Sequence, residues 1–398
     1  MEKTHTQPIY NIPSIRSYRW STHLDLLRGL ASLLVFIGHL KFLLFLEYSE
    51  VSNPNFFIKR FNSLTGLGHQ CVIIFFVLSG FFISASVLRT IQQKRWSWIN
   101  YLVARLTRLY IVLIPALLLS SFWDFLGIKI FGTAQDSFYG EKFYNSYLAT
   151  YKILENFTPQ NFLGTVAFLQ TIYVDLFGSN KVAWSLAYEF WYYILFPSII
   201  LLFWVNSLKL RLFYGVLTSV ILLMVGSEIR IYFLVWLMGA LINISHTSKY
   251  LNNKNIFNSL SFLSILILCI TLTIARFLPS EEIADFLIGI STAVMIYLLV
   301  NNPSKIRQEG AYEKFSKGLA GCSYTLYLVH MPIPCFIRAC IIDDRPWQPD
   351  IFHLFLGLIV AVFVFLYAVV IAHFTEAKTD RFRNLIMSWI KNRRLNKA

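Results

Sequence analysis

LDLLRGLASLLVFIGHL, residues Leu24–Leu40, is an apolar run that nevertheless carries Asp25, Arg28, Ser32 and His39. It sits within a longer apolar segment, 24–46, and a helix crossing a bilayer needs about 20 such residues. Positions 25, 32 and 39 lie seven apart, so on a helix they drift only about 20° per step. Arg28 follows Asp25 by three and joins the same side. A polar stripe ending in a histidine therefore lies inside the membrane. Ionisable groups there are costly and mark a cavity or pathway in the bundle interior. Chemistry is expected along this stripe.

The rest of the composition agrees. Of 398 residues, 56% are hydrophobic and only 14% charged, with a mean hydropathy of +0.57. Soluble domains run near 25% charged, so the chain reads as an integral membrane protein. Its net charge of +14 is the kind that positive cytoplasmic loops produce. With no soluble basic domain to carry it, no nucleic-acid partner is expected. The opening 20 residues are polar, hold Lys3, Arg16 and Arg19, and read as a cytoplasmic tail, because they lack the short apolar core of a signal peptide. The cysteines (71, 269, 322, 335, 340) form no CxxC and read as buried, inert thiols. No histidine pair has ligand spacing, so no metal site is expected.

Ten apolar segments stand out: 24–46, 70–88, 103–122, 184–204, 210–226, 229–245, 257–277, 284–301, 319–340 and 352–375. Lys and Arg concentrate in alternate connections, and Glu281, Glu282, Asp343 and Asp344 in the others. This bias places both termini in the cytoplasm. The expected fold is an all-α, multi-pass membrane protein of about ten transmembrane helices. It comprises a tail (1–20), a transmembrane domain (21–375) with a long outer loop at 123–183, and a basic cytoplasmic tail (376–398) suited to anionic lipid. Within the loop, 161–177 is apolar, but a crossing there would put the basic tail outside. It reads as a re-entrant or interfacial piece, tolerated where it packs on protein. The aromatic residues at 139, 143, 144, 147, 151 and 157 make either a sugar-stacking platform or an interfacial belt. No internal repeat is visible, which argues against a two-fold transporter.

Arg28 and His39 are eleven residues apart, roughly 16 Å along a helix and nearly at one azimuth. A neutral imidazole can take a proton from a hydroxyl near pH 7, as a general base must. The fourth segment opens WSLAYEFWYYILFP, in which Glu189 shares a face with Ser185 and Tyr193. Its carboxylate would orient His39 or pair with an arginine such as Arg28. In FFVLSGFF, Gly80 permits close helix approach, and Ser79 is a ligand contact, a candidate nucleophile or a back-bonded hydroxyl. Arg105 and Arg108, three apart at the cytoplasmic end of their helix, suit phosphate groups or simply mark topology. Segment CSYTLYLVHMPIP places Tyr327 and His330 on one face and a kink at Pro332, with His330 reading as a structural hydrogen-bonder more than a second base.

Together these residues resemble the acyltransferase-3 family of membrane O-acyltransferases. The elements run in family order: Arg28-Gly29 with His39, FFVLSGF, RxxRLY, WSLxxE with its downstream proline, and SYTLYLVHMP. The resemblance implies acyl transfer, usually acetyl, from cytoplasmic acetyl-CoA or another acyl-CoA to a hydroxyl of a cell-surface or lipid-linked glycan such as polysaccharide or lipopolysaccharide. It implies Arg28 and His39 as the essential pair, Arg105 and Arg108 as CoA contacts, and a bacterial inner (plasma) membrane. Asp25, Ser79, Ser185, Tyr193, Tyr327 and His330 are expected in substrate or supporting roles, and Glu189 beside the base. Many members add a C-terminal SGNH-hydrolase-like domain, which is not expected here, leaving room for a separate periplasmic transferase partner. Two rival readings are a transporter or flippase for a small polar or lipid-linked solute and a non-catalytic membrane subunit.

Overall fold

The computed structural model describes residues 19–134, 137–140, 152–245, 254–301, 310–341 and 345–395. Among them no β-strand forms, and the regular elements are helices. A chain surrounded by hydrocarbon has to satisfy its backbone hydrogen bonds internally, and helices do so within one segment. In chain order the helices are α1 (Arg19–Leu44), α2 (Phe56–Thr65), α3 (Gly68–Gln92), α4 (Trp98–Phe131), α5 (Ile153–Asn156), α6 (Pro159–Val166), α7 (Trp184–Trp204) and α8 (Leu208–Met224). They continue as α9 (Gly226–Ile242), α10 (Lys254–Ile274), α11 (Glu281–Val300), α12 (Ala311–Ala320), α13 (Ser323–Val329), α14 (Pro332–Ile341), α15 (Ile351–Phe374) and α16 (Thr379–Leu395).

Each of the ten apolar segments falls on a helix or helix pair. Among the described residues seven helices are long and apolar enough to cross a membrane, or nine when each of two bent pairs counts as one span. The difference from ten lies in those pairs. Helices α8 and α9 have 17 residues each and bend by 119° across Gly226, whose φ of +74° suits glycine. The segment Ala311–Val329 and α14 bend by 60°, and the break falls at Met331 before Pro332, where the ring removes a helical donor.

The chain divides into two compact units. The first comprises Met1–Arg28, Val72–Ser97 and Trp191–Gly318. Within it Gly80 faces the Trp236 carbonyl and Gly239 the Val77 carbonyl so closely that a Cβ on either would clash. Small residues let membrane helices approach in this way. The α3–α9 contact is sealed by Trp236 Nε1 donating to Ser79 Oγ at 3.2 Å, and by Asn243 donating to the Phe81 carbonyl and Ser84 Oγ.

The second unit comprises Gly29–Cys71, Trp98–Phe190 and Leu319–Ala398. Its α4 runs nine residues beyond the expected start of the outer loop at 123. The extension WDFLGIKIF is apolar apart from Asp124 and Lys129, and Asp124 is buried with a partner of its own, Ser179 N–H at 2.8 Å. The helix in segment 161–177 is α6, which begins just before it at Pro159 and has eight residues; it rises about 12 Å and is too short to cross a bilayer. Thr158 caps α6, Pro159 occupies its first turn, and Phe168 and Thr171 at positive φ turn the chain back. Of the cysteines, Cys71, Cys322 and Cys335 are buried, whereas Cys269 and Cys340 are exposed.

Candidate functional site

His39 lies near the end of α1, and its Nδ1 is 3.0 Å from Nε2 of His330, just past the end of α13. The two ring planes lie within 22° of each other with centroids 5.1 Å apart, so the rings meet edge to edge through these nitrogens. His330 is fully buried, with Phe36 and Tyr327 edge-on to it. Its Nδ1 is 2.9 Å from the Leu326 carbonyl. A histidine, His330, therefore stands at Nδ1 of His39, a position that the sequence reading offered to Glu189 as one of two roles, the other being to pair with an arginine such as Arg28.

His39 lines a cavity of about 560 Å³ together with Lys152, Glu155, Asn156, Thr171, Asp175, Leu176, Lys181, Val182 and Trp184. Two cations and two anions line it. Lys152 bonds Glu155 at 2.9 Å, and Lys181 is within electrostatic reach of Asp175. Apart from Trp184, which opens the WSLxxE motif, the loop residues of this lining carried no signal in the sequence. Charged loop residues are ordinarily solvated and look alike whether or not they surround a cavity.

Asp124 and Asn180 place the loop that brings Lys181 and Trp184 to this cavity. Asp124 accepts the Ser179 N–H, and Gly178, at φ +50°, leaves the space that a Cβ would take from the carboxylate. Asn180 donates at 3.0 Å to both Ser120 Oγ and the Leu328 carbonyl. Pro332 has no N–H to return to residue 328, so Asn180 supplies the donor that the broken helix lacks. Of the aromatic loop residues, Tyr139 is buried against Phe131 and Phe157 packs on Phe177. Tyr139 offers no open stacking face, and Phe157 is half-buried. Phe143, Tyr144, Tyr147 and Tyr151 lie outside the described residues.

A second polar group in the same unit gathers on α4, α7 and α13. The Arg105 guanidinium stands over the Tyr101 ring, 5.5 Å from its centroid. The buried Nε of Arg105 has no hydrogen-bond partner among the described residues. Arg108 is exposed on the same face. Tyr324 lies within electrostatic reach of Glu189, Arg108, Glu376 and Tyr327, and Tyr101 within reach of Glu189. Ser185 and Tyr327 share a hydrogen bond of 2.8 Å. Glu376, read from sequence as the first tail residue, instead caps α13 by accepting from Thr325 N and Oγ1 at 3.0 and 2.9 Å.

The remaining expected residues belong to the first unit. Arg28 bonds Asp25 at 3.2 Å across one turn of α1, with both side chains about a quarter exposed. Ser79 takes the Trp236 indole N–H, which ties it into the α3–α9 contact. Tyr193 is buried in α7.

The acyltransferase domain family matches residues 22–372. A protein of Haemophilus influenzae described as uncharacterized is 27% identical over 260 residues, covering 58% of this chain and 98% of that protein. No solved structure matches.

Proposed function

The chain belongs to the acyltransferase-3 family, and from that premise we propose that it is a membrane O-acyltransferase of a bacterial inner membrane. It moves an acyl group, acetyl in the simplest case, from cytoplasmic acyl-CoA to a hydroxyl of a cell-surface or lipid-linked glycan. The observation that carries this reading is His39, a histidine lining a polar cavity with one ring nitrogen held by a buried partner.

The cavity has the chemistry of an acceptor site. Lys152, Lys181, Asn156 and Thr171 are hydrogen-bond donors by side-chain type, Glu155 and Asp175 are acceptors, and Trp184 offers an aromatic plate. Such a mixture suits a polyhydroxylated ring better than an apolar ligand, whose pockets are mostly hydrophobic. On the donor side, Arg105 and Arg108 contact the phosphates of CoA, and the buried Nε of Arg105 is a donor awaiting an acceptor. Arg28, on the same helix as His39, provides further positive charge for the donor.

In the proposed reaction His39 removes the acceptor hydroxyl proton as the oxygen attacks the thioester carbonyl. The tetrahedral adduct collapses, the carbon–sulfur bond breaks, and the imidazolium returns its proton to the departing thiolate. Ester and free CoA are the products. One base suffices for direct transfer, and the engagement of Ser79 by Trp236 favours that route over an acyl-serine.

The test is transfer of radiolabelled acetyl from acetyl-CoA in inverted membrane vesicles, with wild type beside His39→Ala. Label in a glycan fraction that disappears in the mutant supports the reading. Undiminished transfer by well-inserted His39→Ala removes the histidine from catalysis.

A further inference from the structure

Resting on the acyltransferase reading, we propose that His330 is a positioning residue that sets the tautomer of His39. Three groups in a chain fix where the protons lie. A carbonyl oxygen can only accept, so at 2.9 Å from the Leu326 carbonyl, Nδ1 of His330 must carry the hydrogen and donate it. A neutral His330 then has its lone pair on Nε2. That nitrogen faces Nδ1 of His39 at 3.0 Å, so Nδ1 of His39 must be the donor. A neutral imidazole carries one N–H, so the basic nitrogen of His39 is Nε2. The base is thereby prepared in a single protonation state before substrate arrives. His330 itself neither touches the reacting atoms nor accepts their proton.

The burial of His330 makes the arrangement stable. The side chain is 0% exposed, so water does not compete for either nitrogen, and Phe36 and Tyr327 hold the ring edge-on. When His39 becomes an imidazolium its Nδ1–H still points at the His330 lone pair. The same contact therefore also stabilises the charged form, as an orienting acceptor does in other histidine-based sites.

Two substitutions separate this role from packing and from a second-base role. In His330→Gln the side-chain carbonyl reaches the place of Nε2 and still accepts from His39, with no titratable group. In His330→Asn the shorter amide reaches only the place of Nδ1 and withdraws this acceptor from Nδ1 of His39. The expected result is that His330→Gln keeps kcat within about tenfold. His330→Asn should lose on the order of 10² to 10⁴, the range reported for general bases and for a wrong tautomer, with KM for acetyl-CoA unchanged. Solid-state nitrogen-15 spectra of histidine-labelled protein, assigned through the His39 and His330 variants, supply a second readout independent of activity. Wild type and His330→Gln should show His39 protonated at Nδ1, and His330→Asn a shift toward the Nε2–H tautomer.

Equal losses in the two variants, or a wild-type His39 protonated at Nε2, overturn the proposal. If the wild type transfers no acyl group to any glycan, the functional reading fails, while the tautomer measurement still decides the role of His330. Thermal unfolding in detergent identifies a variant that has lost its fold, and the spectra of the other variant then decide.

Discussion

Arg105 is half-buried over an aromatic ring, with a guanidinium nitrogen that has no partner among the described residues. A buried donor without an acceptor carries a desolvation cost, and an anionic ligand would remove it. Arg105→Ala should therefore raise the acetyl-CoA concentration giving half-maximal rate about tenfold, equivalent to about 1.4 kcal/mol, with little change in kcat at saturation. Titration of acetyl-CoA in membrane vesicles checks this, and an unchanged half-saturation returns the arginine to a topological role. At this scale the sequence was most legible where chemistry conflicts with environment. Asp25, Arg28 and His39 stand out because ionisable groups are rare in an apolar run. The partner of His39 was not legible, because 291 positions separate it from His330 and no spacing rule reaches that far. The sequence offered Glu189 as one candidate to orient His39, from its similar helix depth, and read His330 as a structural hydrogen-bonder without naming its partner.

Among the elements, the break between α13 and α14 organises much of the second unit. Pro332 leaves the Leu328 carbonyl without its helical donor, and Asn180 replaces it while also holding Ser120. The sequence foretold the kink from Pro332 but not the asparagine that repairs it, since Asn180 sits in a loop that matched no motif. Asn180→Ala leaves a buried carbonyl unsatisfied, which costs roughly 1–3 kcal/mol. The variant should unfold at lower temperature in detergent. It should also need more glycan acceptor, because the clamp positions Lys181 and Trp184, while its requirement for acetyl-CoA stays unchanged. A rise in the acetyl-CoA requirement, with the acceptor requirement intact, would separate this loop from acceptor binding. The length of α4 was likewise hidden: Asp124 reads as a loop residue until Ser179 is seen to donate to it.

For the whole molecule, the all-α membrane class and the position of every apolar segment were legible, because hydropathy is a local property. The bend of α8 against α9 was less so, because it depends on where two short helices stop. The charge bias predicts an orientation in which the His39 cavity opens away from the cytoplasm and α16 faces it. Helix α16 fits a cytoplasmic surface, with Phe382, Leu385, Ile386 and Trp389 exposed on one face and Arg381, Arg383, Lys391 and Arg393 nearby. Impermeant maleimide labelling tests the orientation directly, after Cys269→Ser and Cys340→Ser remove the two exposed native thiols. Leu154→Cys, exposed on the cavity-lining α5, should react in right-side-out vesicles and be protected in inverted ones. Asn384→Cys, exposed on α16, should show the opposite pattern. Labelling of both from one side would place donor and acceptor entrances on the same face. The chain could then not carry an acyl group across the membrane, and the acceptor would have to be a cytoplasmic hydroxyl.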